Sequence, residues 1–230
     1  MKAPADGWAA PTALDIENYH GTVTIIVDPD VTELKTVAKV HASLWIDDVV
    51  RSQAQDSVRI RTRTLEQEGR TVCSIRTSTR WGDPRQVWVD LTLTMPRCDG
   101  VRIFNRGGSV TLVGVSGALQ VDNGEFADSS GPIEVRTNAV IVDPVVLVTS
   151  SGNIFYQVGP GSTGAYTLDA TDGSESFDST VARPEAVHSN GSVTTATVGD
   201  AENSVVLRSA KGDVSVIYMN DAQAYINRFR

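Results

Sequence analysis

The sequence predicts an all-β fold, a parallel β-solenoid preceded by antiparallel β-hairpins, and three observations carry the prediction. Runs of alternating Val, Ile, Leu and Thr are punctuated by 19 Gly and 9 Pro. No window places apolar residues at i, i+3, i+4 and i+7 over three turns, the period an amphipathic helix needs. One spaced pattern also recurs: apolar, any, apolar, any, small polar, two variable residues, Gly, any, apolar, any, apolar.

From the start of the chain, residues 1–13 are rich in Ala and Pro and read as a loose lead-in. The first copy of the pattern is Leu14-Ile16-Asn18-Gly21-Val23-Ile25. Between Gly21 and Gly108 the pattern is lost, and Val37 to Trp45, Val58 to Thr64, Thr71 to Thr77 and Val87 to Met95 alternate over longer runs. These predict antiparallel hairpins, with Glu66-Gln67-Glu68-Gly69 turning the middle pair and Trp81-Gly82-Asp83-Pro84 turning into the last. Residues 14–100 therefore read as a hairpin-rich part and 101–217 as solenoid repeats, with 218–230 as a C-terminal cap or tail.

The repeats are clearest at Val101-Ile103-Asn105-Gly108-Val110-Leu112, Val145-Leu147-Thr149-Gly152-Ile154-Tyr156 and Val205-Leu207-Ser209-Gly212-Val214-Val216. Weaker copies are Phe126-Asp128-Gly131-Ile133-Val135, Tyr166-Leu168-Ala170-Gly173-Glu175-Phe177 and Ala186-His188-Gly191-Val193. Glycines at 108, 131, 152, 173, 191 and 212 give a step of about 21, the signature of stacked repeats. Each copy is two short strands with two apolar side chains on one face, joined by a tight turn where Gly supplies the backbone. One copy cannot bury that face alone, whereas stacking puts equivalent side chains in columns. Gly21, Gly108, Gly131, Gly152, Gly173 and Gly212 are thus the structural turn residues. The position three before each Gly holds Asn18, Asn105, Asp128, Thr149, Ala170 or Ser209. Most of these short polar side chains can bond locally or form a ladder along the stack. A meander sandwich is the competing architecture.

Charge narrows the partners. With 20 basic and 28 acidic residues the net charge is −8, which argues against nucleic acid and an anionic membrane surface. No run approaches eighteen apolar residues and the Met1-Lys2-Ala3-Pro4 start lacks a leader's apolar stretch, so no transmembrane segment is expected. The chain is then cytoplasmic, or its leader is absent. Cys73 and Cys98 exclude a disulfide-rich scaffold, but one bridge between them would contribute roughly 3 kcal/mol in the chain-entropy model. Two inert buried thiols are the equal alternative.

The stretch Val89-Asp90-Leu91-Thr92-Leu93-Thr94-Met95-Pro96, with Val101-Arg102-Ile103-Phe104-Asn105 and Gly108-Ser109-Val110-Thr111-Leu112-Val113-Gly114-Val115-Ser116-Gly117, resembles the DUF4097 family of adhesin-like bacterial β-strand-repeat proteins. The resemblance extends over about residues 14 to 217 and rests on degenerate Gly and Val patterns. It implies a single-stranded, β-helix-like solenoid, commonly right-handed, in a noncatalytic protein of the bacterial cell envelope, periplasmic or extracellular. It brings no catalytic residues with it.

The chemistry sought in the sequence is sparse. There is no Gly-x-Ser-x-Gly elbow, no phosphate-cradling Gly-Lys-Ser or Gly-Lys-Thr loop and no His-Glu-x-x-His, and no cofactor is expected. Asp169, Asp172, Glu175 and Asp178 form the densest acidic group and are the ligand or metal candidates. Glu175 stands in a column otherwise filled by Val23, Val110, Ile133, Ile154, Val193 and Val214, where a buried carboxylate is costly unless paired. A local register slip into water is the plainer explanation, and carbohydrate binding or cleavage by Asp169, Glu175 and Asp178 is the alternative function. Phe104, Val146, Val148, Phe155 and Val206 fall on the outward alternation. They are covered by the hairpins or the tail, or they form a surface for a protein partner or self-association.

Overall fold

The computed structural model of the chain describes residues 12–43, 47–67, 69–80, 83, 86–124, 130–181, 184–191, 193–199 and 202–224, whose regular elements are β-strands apart from one helix. In chain order come β1 (Ala13–Asn18), β2 (Val23–Val27), β3 (Lys35–Ala42), the helix α1 (Asp48–Asp56), β4 (Arg59–Gln67), β5 (Arg70–Ser78) and β6 (Val87–Met95). They are followed by β7 (Asp99–Asn105), β8 (Gly108–Val113), β9 (Ser116–Asn123), β10 (Ser130–Thr137), β11 (Val145–Thr149), β12 (Ile154–Val158), β13 (Gly164–Ala170) and β14 (Glu175–Ser179). Last are β15 (Ala186–Asn190), β16 (Val193–Val198), β17 (Ser204–Ser209) and β18 (Val214–Tyr218).

These strands form two mixed sheets, parallel inside and antiparallel at the ends. In the ten-stranded sheet β5-β1-β7-β9-β11-β17-β13 run parallel, with β4 antiparallel at one end and β16 then β15 at the other. The eight-stranded sheet repeats the order with the following strand of each pair, β6-β2-β8-β10-β12-β18-β14, and β3 lies antiparallel on β6. Each pair is therefore one rung, with a strand in either sheet and its apolar faces turned inward. The rungs are not stacked in chain order. The first, β1/β2, lies between β5/β6 and β7/β8, and the last, β17/β18, lies between β11/β12 and β13/β14.

The expected columns are real and longer than the pattern shows. One runs Cys73, Leu14, Val101, Leu119, Val145, Val205, Tyr166 and its neighbour runs Ile75, Ile16, Ile103, Val121, Leu147, Leu207, Leu168. All of these residues are buried. Burying a Leu or Val side chain stabilises by about 1.5–3 kcal/mol, so the columns carry most of the stability.

A polar column lines one corner. Thr77 Oγ1 donates to Asn18 Oδ1 at 2.6 Å, Asn18 Nδ2 to Asn105 Oδ1 at 3.1 Å and Asn105 Nδ2 to Asn123 Oδ1 at 3.0 Å. Five interior rungs also donate to a carbonyl of the rung before them in the stack: Asn18 to Val89, Asn105 to Gly21, Asn123 to Gly108, Thr149 to Gly131 and Ser209 to Gly152, all between 2.8 and 3.1 Å. Buried amides are tolerable here because their bonds are made.

The same contacts explain the glycines. A Cβ on Gly108 would meet the Gly21 carbonyl, one on Gly152 would lie 2.6 Å from the Gly131 carbonyl carbon, and one on Gly212 would lie 2.5 Å from the Gly152 oxygen. Gly173 would strike Gly212, and Gly131 would come to 3.0 Å from the Gly108 oxygen, although neither has a positive φ. Close approach of rungs, more than turn geometry, is what requires glycine.

Several expectations need correction. Of the four runs before Gly108, β4 and β5 do pair as an antiparallel hairpin, but β5 and β6 lie in different sheets and form a rung. The turn residues Trp81, Gly82 and Pro84 lie outside the described residues, as do Glu68 and most of the lead-in. The copy placed at Phe126 and Asp128 also lies outside them. The strand that precedes Gly131 is β9, whose Leu119, Val121 and Asn123 occupy the column positions. The copy around Gly191 is the β15–β16 hairpin, and a Cβ on Gly191 would meet nothing within 4 Å.

Candidate functional site

The four candidate acids are divided between the sheets. Asp169 lies on β13, where its Oδ2 accepts from Arg208 Nε at 2.9 Å. Asp172 is exposed in the turn that follows. Glu175 and Asp178 lie on β14 of the eight-stranded sheet, three residues apart and so on opposite faces. Glu175 keeps its register opposite Val214, so no slip occurs. It can replace the apolar residue because β14 is the sheet's outer strand, and its Oε1 accepts from the Ala170 N–H at 3.1 Å. Among the described residues no group of three His, Cys, Asp or Glu is placed to hold a metal ion.

Cys73 and Cys98 are buried free thiols, so the bridge is not formed. Cys73 faces the core between Thr64 of β4 and Leu14 of β1. Cys98 Sγ donates to the Gly100 carbonyl at 3.6 Å. Burial pushes the Cys73 thiol up to about 11 and the Cys98 thiol to about 12, the latter helped by Asp99. Neither is a thiolate near neutral pH.

Two histidines that look unrelated in sequence meet one carboxylate. Asp90 accepts the Thr22 N–H at 2.8 Å and His41 Nε2 lies 2.9 Å from its other oxygen, with the His41 ring stacked on Trp88 at 5.3 Å. Asp90 also acts on His20, whose pKa is lowered by burial against the opposing pull of that charge. The antiparallel pairing of β3 on β6 brings His41 there, and nothing in the spacing of His20, His41 and Asp90 announces it.

The outer face of the ten-stranded sheet carries a cleft of about 430 Å³ where β1, β5 and β7 end. Glu17, Tyr19, Thr79, Phe104 and Arg106 are among its walls. Tyr19 is anchored by its N–H, which donates to Thr77 Oγ1 at 2.8 Å, so the polar column holds the cleft floor. The Arg106 guanidinium sits 5.9 Å from the Tyr19 ring centre. Burial raises the Tyr19 phenol, and Arg106 opposes that rise. Glu17 is ion-paired with Arg76. Phe104, predicted to face outward, is 37 % exposed. An exposed aromatic face beside a cation and hydroxyls suits a ring-bearing polar ligand or a protein loop. Val146 is also exposed, at 38 %, whereas Val148, Phe155 and Val206 are half-buried. These residues lie on the outer faces of both sheets, Phe155 on the eight-stranded one, and β3 and β4, expected to cover them, extend the sheets sideways instead.

No known family's profile matches the chain, and no characterised protein matches it by sequence. Among the described residues no helix is long and apolar enough to cross a membrane. In architecture the chain is similar to the crystal structure of a putative cell adhesion protein from Clostridium sporogenes, with a TM-score of 0.56 at 11 % identity over 92 % of this chain and 94 % of that one.

Proposed function

We propose that this chain is a noncatalytic, adhesin-like surface module, a right-handed single-stranded β-solenoid whose rungs are its coils, the first and last of them inserted out of chain order. It is displayed at a bacterial cell envelope and holds a protein or cell-surface partner at the Phe104 cleft. The observation that carries the reading is where the polar groups go. The amides and hydroxyls of the corner column join one rung to the next, and Asp169 is neutralised by Arg208. That distribution supports the reading of a rigid display surface with an aromatic cleft. The likeness to a putative cell adhesion protein supports the same reading at the level of architecture.

Bead-bound protein tests it on intact bacterial and host cells. Phe104→Ala should lower retention about tenfold, the scale expected for a buried aromatic anchor, with unchanged thermal melting. Retention unaffected by Phe104→Ala, or recovery of the native chain solely from the cytosol, would overturn the reading. The enzyme alternative is tested on a polysaccharide panel. Wild-type protein should leave chain lengths unchanged, and cleavage abolished by Glu175→Gln would establish catalysis instead.

A further inference from the structure

β4 is the outer strand of the ten-stranded sheet, and among the described residues it pairs with β5 alone. All nine of its residues are exposed. Its pairing sets Ile60, Thr62 and Thr64 opposite the inward Thr77, Ile75 and Cys73, so Arg59, Arg61 and Arg63 form a row on the outer face. Among the described residues no acid pairs with that row. Arg61 stands opposite Arg76, which is already engaged by Asp15 and Glu17. Arg59 donates to the Asp56 and Val58 carbonyls, and Arg61 and Arg63 make no ion pair among the described residues. The strand's one acid, Glu66, lies on the other face and accepts from Thr71 Oγ1 at 2.6 Å.

Charge alone discourages strand-to-strand association between copies, because two β4 edges would bring arginine rows together. The row does more than repel. Its cations repeat every second residue, about 6.8 Å apart along the strand. That is the period at which an extended chain presents side chains on one face, and opposite charges on adjacent strands attract. We propose that β4 is a docking edge for an extended acidic segment of a partner protein. The segment adds as a further strand, its backbone pairing with the free edge and its Asp or Glu residues at i, i+2 and i+4 facing the arginine row. This goes beyond the cleft reading and does not depend on it.

The probe is a labelled nine-residue peptide alternating Glu and Thr, titrated into the full chain and followed by fluorescence anisotropy. Its comparators are the same peptide with a central proline, an alternating Lys and Thr peptide, and a heparin fragment. Saturable binding of the Glu peptide is expected, at least tenfold weaker with the proline peptide or with the R61E/R63E double variant. The double variant should gain affinity for the Lys peptide, which shows that it folds and that charge facing charge decides the match. Circular dichroism should give both proteins the same melting curve. Equal binding of the proline peptide, or preference for the heparin fragment, would reveal a site for polyanions and overturn the proposal. So would a wild-type dimer in sedimentation velocity that R61E/R63E dissociates, or the absence of Glu-peptide binding.

Discussion

The two ends of the stack use one device and finish it differently. At both, a rung from the chain's extremity is slipped one place inward and antiparallel strands lie outside. Beyond β17/β18 the interior closes on aromatic rings: Tyr166 lies 5.3 Å from Phe177 and 6.1 Å from Tyr218, both edge-on, and Tyr156 packs behind at 6.4 Å from Tyr166. At β5/β6 the core is aliphatic, with Cys73, Ile75, Val89, Leu91, Leu93 and Met95, and outside it Val40 and Val58 are only partly buried against it. There β4 is open on both faces. One end is sealed by side-chain volume, the other by main chain, so the first should resist substitution and the second should tolerate it.

The sharpest break of that comparison is a Val at two glycines. Gly108→Val forces a side chain into the Gly21 carbonyl at φ +94° and should cost roughly 4 kcal/mol or more, seen as loss of the cooperative melting transition. Gly69, at the tip of the β4–β5 hairpin, has φ +74° but nothing within 4 Å, so Gly69→Val should cost about 1–2 kcal/mol of backbone strain alone. Similar losses at both sites would refute the close-approach account.

Next comes the polar column. Asn105→Ala leaves Asn18, Asn123 and the Gly21 and Gly107 carbonyls short of partners and should cost about 3 kcal/mol in urea unfolding. Thr62→Ala on β4 should change stability by less than about 0.5 kcal/mol.

High pH acts on both ends. Thiols and phenols buried in the protonated form have folded pKa values above their unfolded ones, so the stability they confer is whole below the unfolded pKa and is lost as pH climbs to the folded one. For Cys73 and Cys98 the window runs from 9.0 to about 11 and about 12, and for Tyr218 from 10.0 to about 12, burial being the first cause in each. Unfolding free energy should therefore begin to fall near pH 9. In the native state both thiols should react with a disulfide reagent only slowly at pH 8, because at a pKa near 11 about one thiol in a thousand is ionised.

The smallest effect separates two tyrosines within the sealed end. Tyr166 and Tyr218 share a hydroxyl hydrogen bond of 2.5 Å, so Tyr166→Phe should cost about 1 kcal/mol. The Tyr156 hydroxyl is buried and meets no partner among the described residues, so Tyr156→Phe should leave stability unchanged or raise it by about 1 kcal/mol.

What the sequence discloses follows from what stacking demands of each rung. Leu14, Val101, Val145 and Val205 are legible because every rung must bury the same face, and Gly21, Gly108, Gly152 and Gly212 because rungs touch there. The β5/β6 rung is hidden because Val89 occupies the glycine position, which is allowed where β6 is flanked by β3 instead of another rung. Asn123 is hidden because the link to Gly131 is longer than the pattern permits. Glu175 reads as a conflict until the end of the sheet explains it. The Phe104 cleft gathers the ends of three strands from separate rungs, and only the outward phase of Phe104 is a local signal. The arginine row of β4 is legible as alternation but not as an edge, since edges belong to topology.

Slipping the first and last rungs inward also sets an order of events during folding. A stack built by simple succession could grow from either end, each new rung adding to the last. Here β1 and β2 emerge before the strands that flank them, β5 to β8, and β13 and β14 must wait for β17 and β18 to fill the gap beside β12. Contacts so distant in sequence close slowly. The nascent protein therefore carries an unfilled slot in both sheets until β17 and β18 arrive, and a chain lacking β1–β2 or β17–β18 would be missing an interior plank.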